Sequence, residues 1–246
     1  MPHITFRFYG ELNDFIDQDY KHQDIIHFYK NRQSVKDRIE AQGVPHPEVY
    51  YILCNGKAVN FDYLIKDGDF ISVYPVFRKW NFDLQGSVRK KYRGKASFVL
   101  DVHLGKLASY LRMMGFDTLY RNDYKDHELA EINYNTNRIL LSRDIGLLKR
   151  KIINYAYYIR YDEPRRQLIS VLKRYKLYSQ ISYFGRCVHC NNQLQSIAKT
   201  KIIDRLLPKT KKYYNQFYIC KNCEQIYWKG SHYKQMKNFI EKIKLK

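Results

Sequence analysis

Acidic residues are scarce in most of this 246-residue chain, where 24 Asp and Glu face 44 Lys and Arg. The deficit is uneven. Residues 1–80 hold 11 acidic and 10 basic side chains, residues 81–180 hold 10 and 20, and residues 181–246 hold 3 and 14. Beyond its first third the chain is a polycation, which attracts polyanions through a field that added salt weakens steeply. Long apolar runs are also missing: none approaches the roughly 20 residues needed to cross a bilayer. Met1-Pro2-His3-Ile4-Thr5 offers neither a basic leader nor an apolar one, so a cytoplasmic location and no membrane partner are expected. Cysteine is rare, with five residues, and nothing marks the chain as secreted, which argues against a disulfide framework. What is present is ordinary globular material, 45% hydrophobic, with room for two or three domains. The 24 tyrosines supply rings that can stack on bases, although a biased genomic base composition also enriches Lys, Tyr, Ile and Asn.

Four of the five cysteines fall into two knuckles, Cys187-Val188-His189-Cys190 and Cys220-Lys221-Asn222-Cys223. Each Cys-x-x-Cys bends the backbone so that both sulfurs point at one ion, and two knuckles complete a tetrahedron around zinc. Thiolate-bound zinc lets a very small segment fold, so residues 181–246 read as a zinc ribbon. Cys54 ends an apolar strand and belongs to its packing.

Residues 1–77 read as a small α+β unit. Ile4 to Tyr9 alternates as a strand, Asp24 to Tyr29 returns, and Ser34 caps a helix over Val35–Ala41 with Asp37 completing a capping box. Val49–Cys54 and Phe70–Pro75 are further strands, with Asn55-Gly56 as a turn. This order is that of a β-grasp, or ubiquitin-like, fold. A carrier role would need a free terminal Gly-Gly, but the chain runs on through Val76-Phe77-Arg78-Lys79-Trp80. Residues 78–96 form a basic connector that is either a solvated linker or a strip contacting phosphates.

From residue 97 the period switches to strand–helix alternation. Ser97–Leu100, Thr118–Tyr120, Arg138–Leu141 and Ala156–Arg160 read as strands. Helices are expected over 104–114, 128–134, 145–150 and from Pro164 to about 178. Such alternation implies a parallel sheet covered by helices on both faces. Ligands bind beyond the carboxyl ends of such strands. Asp101, Asp144 and Asp162 fall there, and Asp123, Asp126 and Glu128 lie near the second helix. Converging carboxylates suit Mg²⁺ or Mn²⁺, ions that activate water against a phosphodiester. Each also has a structural alternative: Asp144, Asp126 and Asp162 are placed to cap helices or turns, and Asp117 to serve a turn. Asp101 starts no obvious cap.

The run Asp101-Val102-His103-Leu104-Gly105-Lys106-Leu107-Ala108-Ser109-Tyr110-Leu111-Arg112-Met113-Met114-Gly115-Phe116-Asp117-Thr118 is similar to the signature of the Mut-seven carboxy-terminal RNase family. Arg138-Ile139-Leu140-Leu141-Ser142-Arg143-Asp144 resembles its second motif. The knuckles with Tyr227-Trp228-Lys229-Gly230-Ser231-His232 resemble its zinc-ribbon ending. Residues 1–77, with Gly43-Val44-Pro45-His46-Pro47-Glu48-Val49, resemble the ubiquitin-like domain that often precedes it. The resemblance implies a PIN-like nuclease fold over residues 97–180, cutting RNA with acid-held Mg²⁺ or Mn²⁺. Asp101 and Asp144 match the first and last acids, Asp126 the middle one with Glu128 as rival, and Asp162 loosely a fourth. Ser142 stands where the family usually has Thr. Water attack on the phosphodiester would leave 5′-phosphate and 3′-hydroxyl ends. Lys106, Arg112, Arg143 and the basic ribbon would position RNA phosphates, with Arg112 equally placed to be a surface residue or to pair with a nearby acid, and Tyr227 and Trp228 would either stack on bases or cover the ribbon core. DNA is an alternative substrate, and an RNA-binding adaptor with a protein partner on the ubiquitin-like domain is the alternative to an enzyme.

Overall fold

The computed structural model describes residues 1–77 and 84–244. The first part of the connector, including Arg78-Lys79-Trp80, lies outside the described residues. The chain opens with strands β1 (His3–Phe8) and β2 (Asp24–Phe28), helix α1 (Val35–Ala41), and strands β3 (Val49–Cys54), β4 (Lys57–Ala58) and β5 (Phe70–Pro75). Next come β6 (Ser97–Leu100), α2 (Gly105–Met113), β7 (Asp117–Tyr120), α3 (Asp126–Thr136) and β8 (Ile139–Ser142). These are followed by α4 (Ile145–Leu148), β9 (Ala156–Tyr158) and α5 (Pro164–Arg174). The last part holds β10 (Leu194–Ile197), α6 (Pro208–Tyr213), β11 (Phe217–Cys220), β12 (Ile226–Trp228) and α7 (Ser231–Lys244). The fold is mixed α/β, and it divides into two compact units, residues 1–94 with 125–159, and residues 95–124 with 160 onward.

In the first unit a mixed sheet runs in the order β2-β1-β5-β3-β4. β1 is antiparallel to β2 and parallel to β5, and β3 is antiparallel to β5, which is the β-grasp arrangement. Strand alternation sends Ile4, Phe6 and Phe8 inward, where they meet Val35 and Ile39 of α1 and Cys54 of β3. The Ser34–Asp37 capping box forms as expected. Asn55 and Gly56 both take positive φ, +50° and +79°, as a tight hairpin turn requires.

Segment 125–159 contributes the parallel pair β8–β9 to this same unit. Several buried or half-buried bonds join it to the β-grasp segment. The Lys149 ammonium donates to the Glu40 carbonyl at 2.6 Å, and the Tyr158 amide donates to the buried Glu48 carboxylate at 2.7 Å. His46 places Nδ1 2.7 Å from Glu40 Oε1 and Nε2 3.0 Å from the Ile153 carbonyl. The ubiquitin-like sheet is therefore packed into its neighbour rather than strung beside it.

The second unit holds the parallel pair β6–β7, helices α2 and α5, and the antiparallel ribbon sheet β10-β11-β12. Gly115 stops α2 at φ +89°, and a Cβ there would lie 2.1 Å from the Ser182 carbonyl oxygen. Glu163 caps α5 through the amides of Arg165 and Arg166. That helix ends at Arg174, earlier than its pattern suggests, because Lys176 adopts the left-handed conformation. Phe217, Ile202 and Leu206 form the small ribbon core.

Two outcomes follow from this packing. Gly115→Ala should destabilise the chain by more than about 1 kcal/mol in urea, since both the φ and the carbonyl contact reject a methyl. Burial holds the His46 pKa below its usual value, and Lys36 and Arg89 push the same way against Glu40 and the Ile153 carbonyl. The unfolded chain then takes up a proton that the folded one refuses, so stability should fall as pH drops below about 6.5. The difference in urea midpoint between wild type and His46→Asn should therefore shrink from pH 7.5 to pH 5.5. A difference independent of pH would show that His46 does not titrate between the two states.

Candidate metal centre and strand-end acids

The two knuckles are built alike. In the first, the Cys187 amide bonds the Asn192 carbonyl, the Asn191 amide bonds the Cys187 carbonyl, and Asn191 has φ +67°. In the second, Cys220 and Gln225 make the matching bond, Glu224 donates to Cys220, and Glu224 has φ +55°. Each left-handed residue turns the chain just after its second cysteine. The result is four sulfurs all within 4.8 Å of one another, the only such group of three or more candidate ligands among the described residues. Cys187 to Cys223 and Cys190 to Cys223 are 3.5 Å, and Cys190 to Cys220 is 3.3 Å. A disulfide needs about 2.05 Å. A tetrahedral ion with Zn–S bonds of about 2.3 Å needs sulfurs roughly 3.8 Å apart. The donor set and spacing suit a metal such as zinc.

Ionisation is uneven among Cys190, Cys220 and Cys223. Burial opposes it at Cys190, but the Asn192 main-chain and side-chain amides, Cys220 and Cys223 outweigh that and bring its pKa to about 6. Burial raises Cys220 and Cys223, the latter to about 12. Cys220 and Cys223, the two reluctant thiols, gain their charge when a cation binds. Tyr227 sets its hydroxyl 3.1 Å from the Cys187 sulfur, and Trp228 packs on the Ile202–Phe217 core.

Arg112 corrects an expectation. Rather than facing RNA it is buried, with Nε donating to the Thr118 carbonyl at 2.9 Å. Its Nη1 donates to the carbonyls of Val188 and His189 at 3.1 and 2.9 Å, inside the first knuckle. Burial lowers its pKa, while Cys187 and Cys190 favour its charge. Asp117 is likewise no turn residue: it opens β7 and accepts from Asn191 Nδ2 at 2.7 Å and from Arg186 at 3.2 Å. Asn191 Oδ1 in turn accepts from the Thr118 amide at 2.9 Å. Arg186 and Asn191 had no signal in the sequence beyond their nearness to the knuckle.

The remaining candidates are placed one by one, since Asp101 and Asp144 belong to different units. Asp101 follows β6 directly, is 8% exposed, and accepts from the Val102 amide at 2.6 Å, so it does start a helical turn, of 3-10 type, contrary to its sequence reading. Asp144 follows β8 with one residue between, is exposed, and caps α4 through the Leu147 amide at 3.0 Å. Its own amide donates to Ser142 Oγ at 2.9 Å, so that hydroxyl does fix the Asp144 turn. Asp126 is exposed in the first position of α3, not its cap, and pairs with Arg150 at 3.6 Å. Glu128 bonds the Lys125 amide at 2.8 Å. Asp162 is exposed, and the cap of α5 is its neighbour Glu163. Lys106 and Arg143 are exposed.

Cys223→Ser should lower bound zinc well below one ion per chain by elemental analysis and abolish the ribbon's contribution to circular dichroism, and a strong chelator should do the same to wild type. Arg112→Met should weaken metal retention about tenfold in a competition with a chromogenic chelator. Full retention in both variants would show that the knuckles are held by packing alone.

The family model described as the Mut7-C RNAse domain matches residues 96–240, and the one described as Mut7-C ubiquitin matches residues 1–81. Comparison with curated proteins and with solved structures gives no match. With more than half its length under the first match and most of the rest under the second, the chain belongs to the Mut7-C RNase family and carries the ubiquitin-like domain in front.

Proposed function

We propose that the protein is a metal-dependent ribonuclease whose acids are Asp101, Asp126 and Asp144, with Asp162 as a fourth carboxylate and Glu128 as the alternative middle one. The observation that carries this reading is the family match over residues 96–240, in which Asp101 and Asp144 each stand just past the carboxyl end of a parallel strand. The membership implies a PIN-like nuclease core. Asp101 and Asp144 each cap a turn through one oxygen, which is compatible with ligation, because an ionised carboxylate offers about four acceptor positions. A bound Mg²⁺ or Mn²⁺ supplies an activated water and neutralises charge on the phosphodiester.

Exposed Lys106 and Arg143, close in sequence to Asp101 and Asp144, are suited to orient phosphates without choosing a base sequence. Zinc in the cysteine cluster has the structural role, since four protein thiolates leave no open position for chemistry. Among the described residues no helix is long and apolar enough to cross a membrane. The ubiquitin-like domain suits a protein partner.

Labelled single-stranded RNA incubated with Mn²⁺ should be cut by the wild type, and Asp101→Asn and Asp144→Asn should each slow cutting roughly a hundredfold or more. Asparagine caps helices about as well as aspartate, so these variants remove charge while keeping the turn. Tight binding without cutting in either Mg²⁺ or Mn²⁺ would favour the adaptor. A parallel reaction with single-stranded DNA tests whether the 2′-hydroxyl is needed.

A further inference from the structure

The β-grasp sheet ends in β4 on one side and β2 on the other, and no described strand lies beyond either. The two edges are treated differently. β4 is two residues long, Lys57–Ala58, and both are exposed. A very short edge that carries a lysine discourages pairing with another chain. β2 has no such protection. It runs over five residues, Asp24–Phe28, pairs with β1 in unbroken register and contains no proline. Two of its three outward side chains are apolar, with Ile26 61% and Phe28 58% exposed. The third, Asp24, is paired within the sheet, 3.3 Å from Arg7.

The ladder shows which main-chain groups of β2 are spare. The Tyr29 amide bonds the Pro2 carbonyl at 3.1 Å, and bonding alternates along an antiparallel pair. Ile25 and His27 therefore bond β1, while the amides and carbonyls of Asp24, Ile26 and Phe28 point out of the sheet edge. β1 agrees: Thr5, opposite Ile26, sends its amide the other way, to the Asp69 carbonyl at 2.8 Å. Ile25 packs against the core, so Ile26 and Phe28 stand on the opposite, open face. His27, on the helix side, has its ring nitrogens 2.9 Å from Arg38 Nη1 and 3.1 Å from Gln42 Nε2.

An antiparallel copy of the same strand fits this edge. Spare groups must meet spare groups, which limits the choice of register. Centred on His27, the pairing sets Ile26 against Phe28 of a second copy, Phe28 against its Ile26, and Asp24 against exposed Lys30. Centred on Ile26, it would set Asp24 against Phe28. Centred on Phe28, it would set Ile26 against Lys30. Only the first register matches apolar with apolar and acid with base, and the twofold axis repeats each pair.

We propose that two copies of the chain associate through β2 in this register, joining their five-stranded sheets into one continuous sheet. The contact is isologous, so it closes at a dimer, and the short β4 edge does not extend it. This association stands on the β-grasp sheet alone and is independent of the ribonuclease reading.

Sedimentation velocity of the full-length protein over a concentration series should show a monomer–dimer equilibrium, because one strand edge buries a small interface. Ile26→Lys, at an exposed position, should weaken dimerisation roughly tenfold, with circular dichroism checking that the fold is kept. Asp24→Lys should weaken it about threefold, and Asp24→Lys combined with Lys30→Asp should restore it. Both of these variants lose the Arg7 pair, so restoration reports the contact between copies. In hydrogen exchange read by NMR, the Ile26 and Phe28 amides should gain protection as concentration rises, while those of Ile25 and His27 are protected throughout. A dimer that Ile26→Lys leaves intact, or a double variant no tighter than Asp24→Lys, would overturn the proposal. So would a monomer at every concentration up to about 0.3 mM with both edge amides unprotected, which would leave the edge to an extended segment of another protein.

Discussion

The buried guanidinium of Arg112 is the contact on which the second unit depends. Placing a cation inside a protein costs several kcal/mol unless its surroundings return that energy. Here the return comes from three main-chain carbonyls and from the neighbouring cysteine sulfurs, Cys187 and Cys190. Four thiolates around a divalent ion leave two negative charges, so cation and cluster stabilise each other. Asp117 and Asn191 add a second latch between β7 and the same knuckle. The ribbon is thus fastened to α2 and β7, and a metal bound there would support more than the few residues that ligate it.

Local features were legible in the sequence because the sequence contains both of their partners. The Ser34–Asp37 box, the Asn55-Gly56 turn, the Gly115 stop and the first knuckle all close within a few residues. Arg112 was misread because its helix pattern marks it as polar, while the carbonyls it serves lie 76 and 77 residues further on. Asp117 was misread for the same reason, its Asn191 partner being 74 residues away. The ribbon strands left little trace: β10 is half exposed throughout, so no apolar alternation announces it. The early end of α5 turns on Lys176, a residue type that gives no hint of positive φ.

The candidate acids divide along the same line. Their positions after strands were readable from hydrophobic runs, and the cap made by Asp144 from its neighbour sequence. The turn started by Asp101 was missed because a 3-10 turn imposes no long apolar period. Capping and catalysis make similar demands on an aspartate: a fixed carboxylate just beyond a strand, with one oxygen held by main-chain amides. A scaffold that pins the carboxylate reduces the entropy lost when it takes a ligand. The structural role is therefore compatible with the proposed chemical one rather than its competitor.

The uneven charge of the chain acquires a physical meaning in the first unit. The β-grasp segment is close to neutral, yet its Lys36 lines a cavity together with Arg89 and Lys151, and its Pro47 carbonyl holds Arg89. Its Glu40 carboxylate meets His46, and its Glu48 carboxylate accepts from the Tyr158 amide. Both carboxylates keep their charge in these bonds, because an amide and a neutral imidazole are uncharged donors. Field at a surface depends on which charges are neutralised by close partners, not on net count. Through Arg89 the described part of the connector bonds both this domain and segment 125–159, so it is a fixed strip and not a tether.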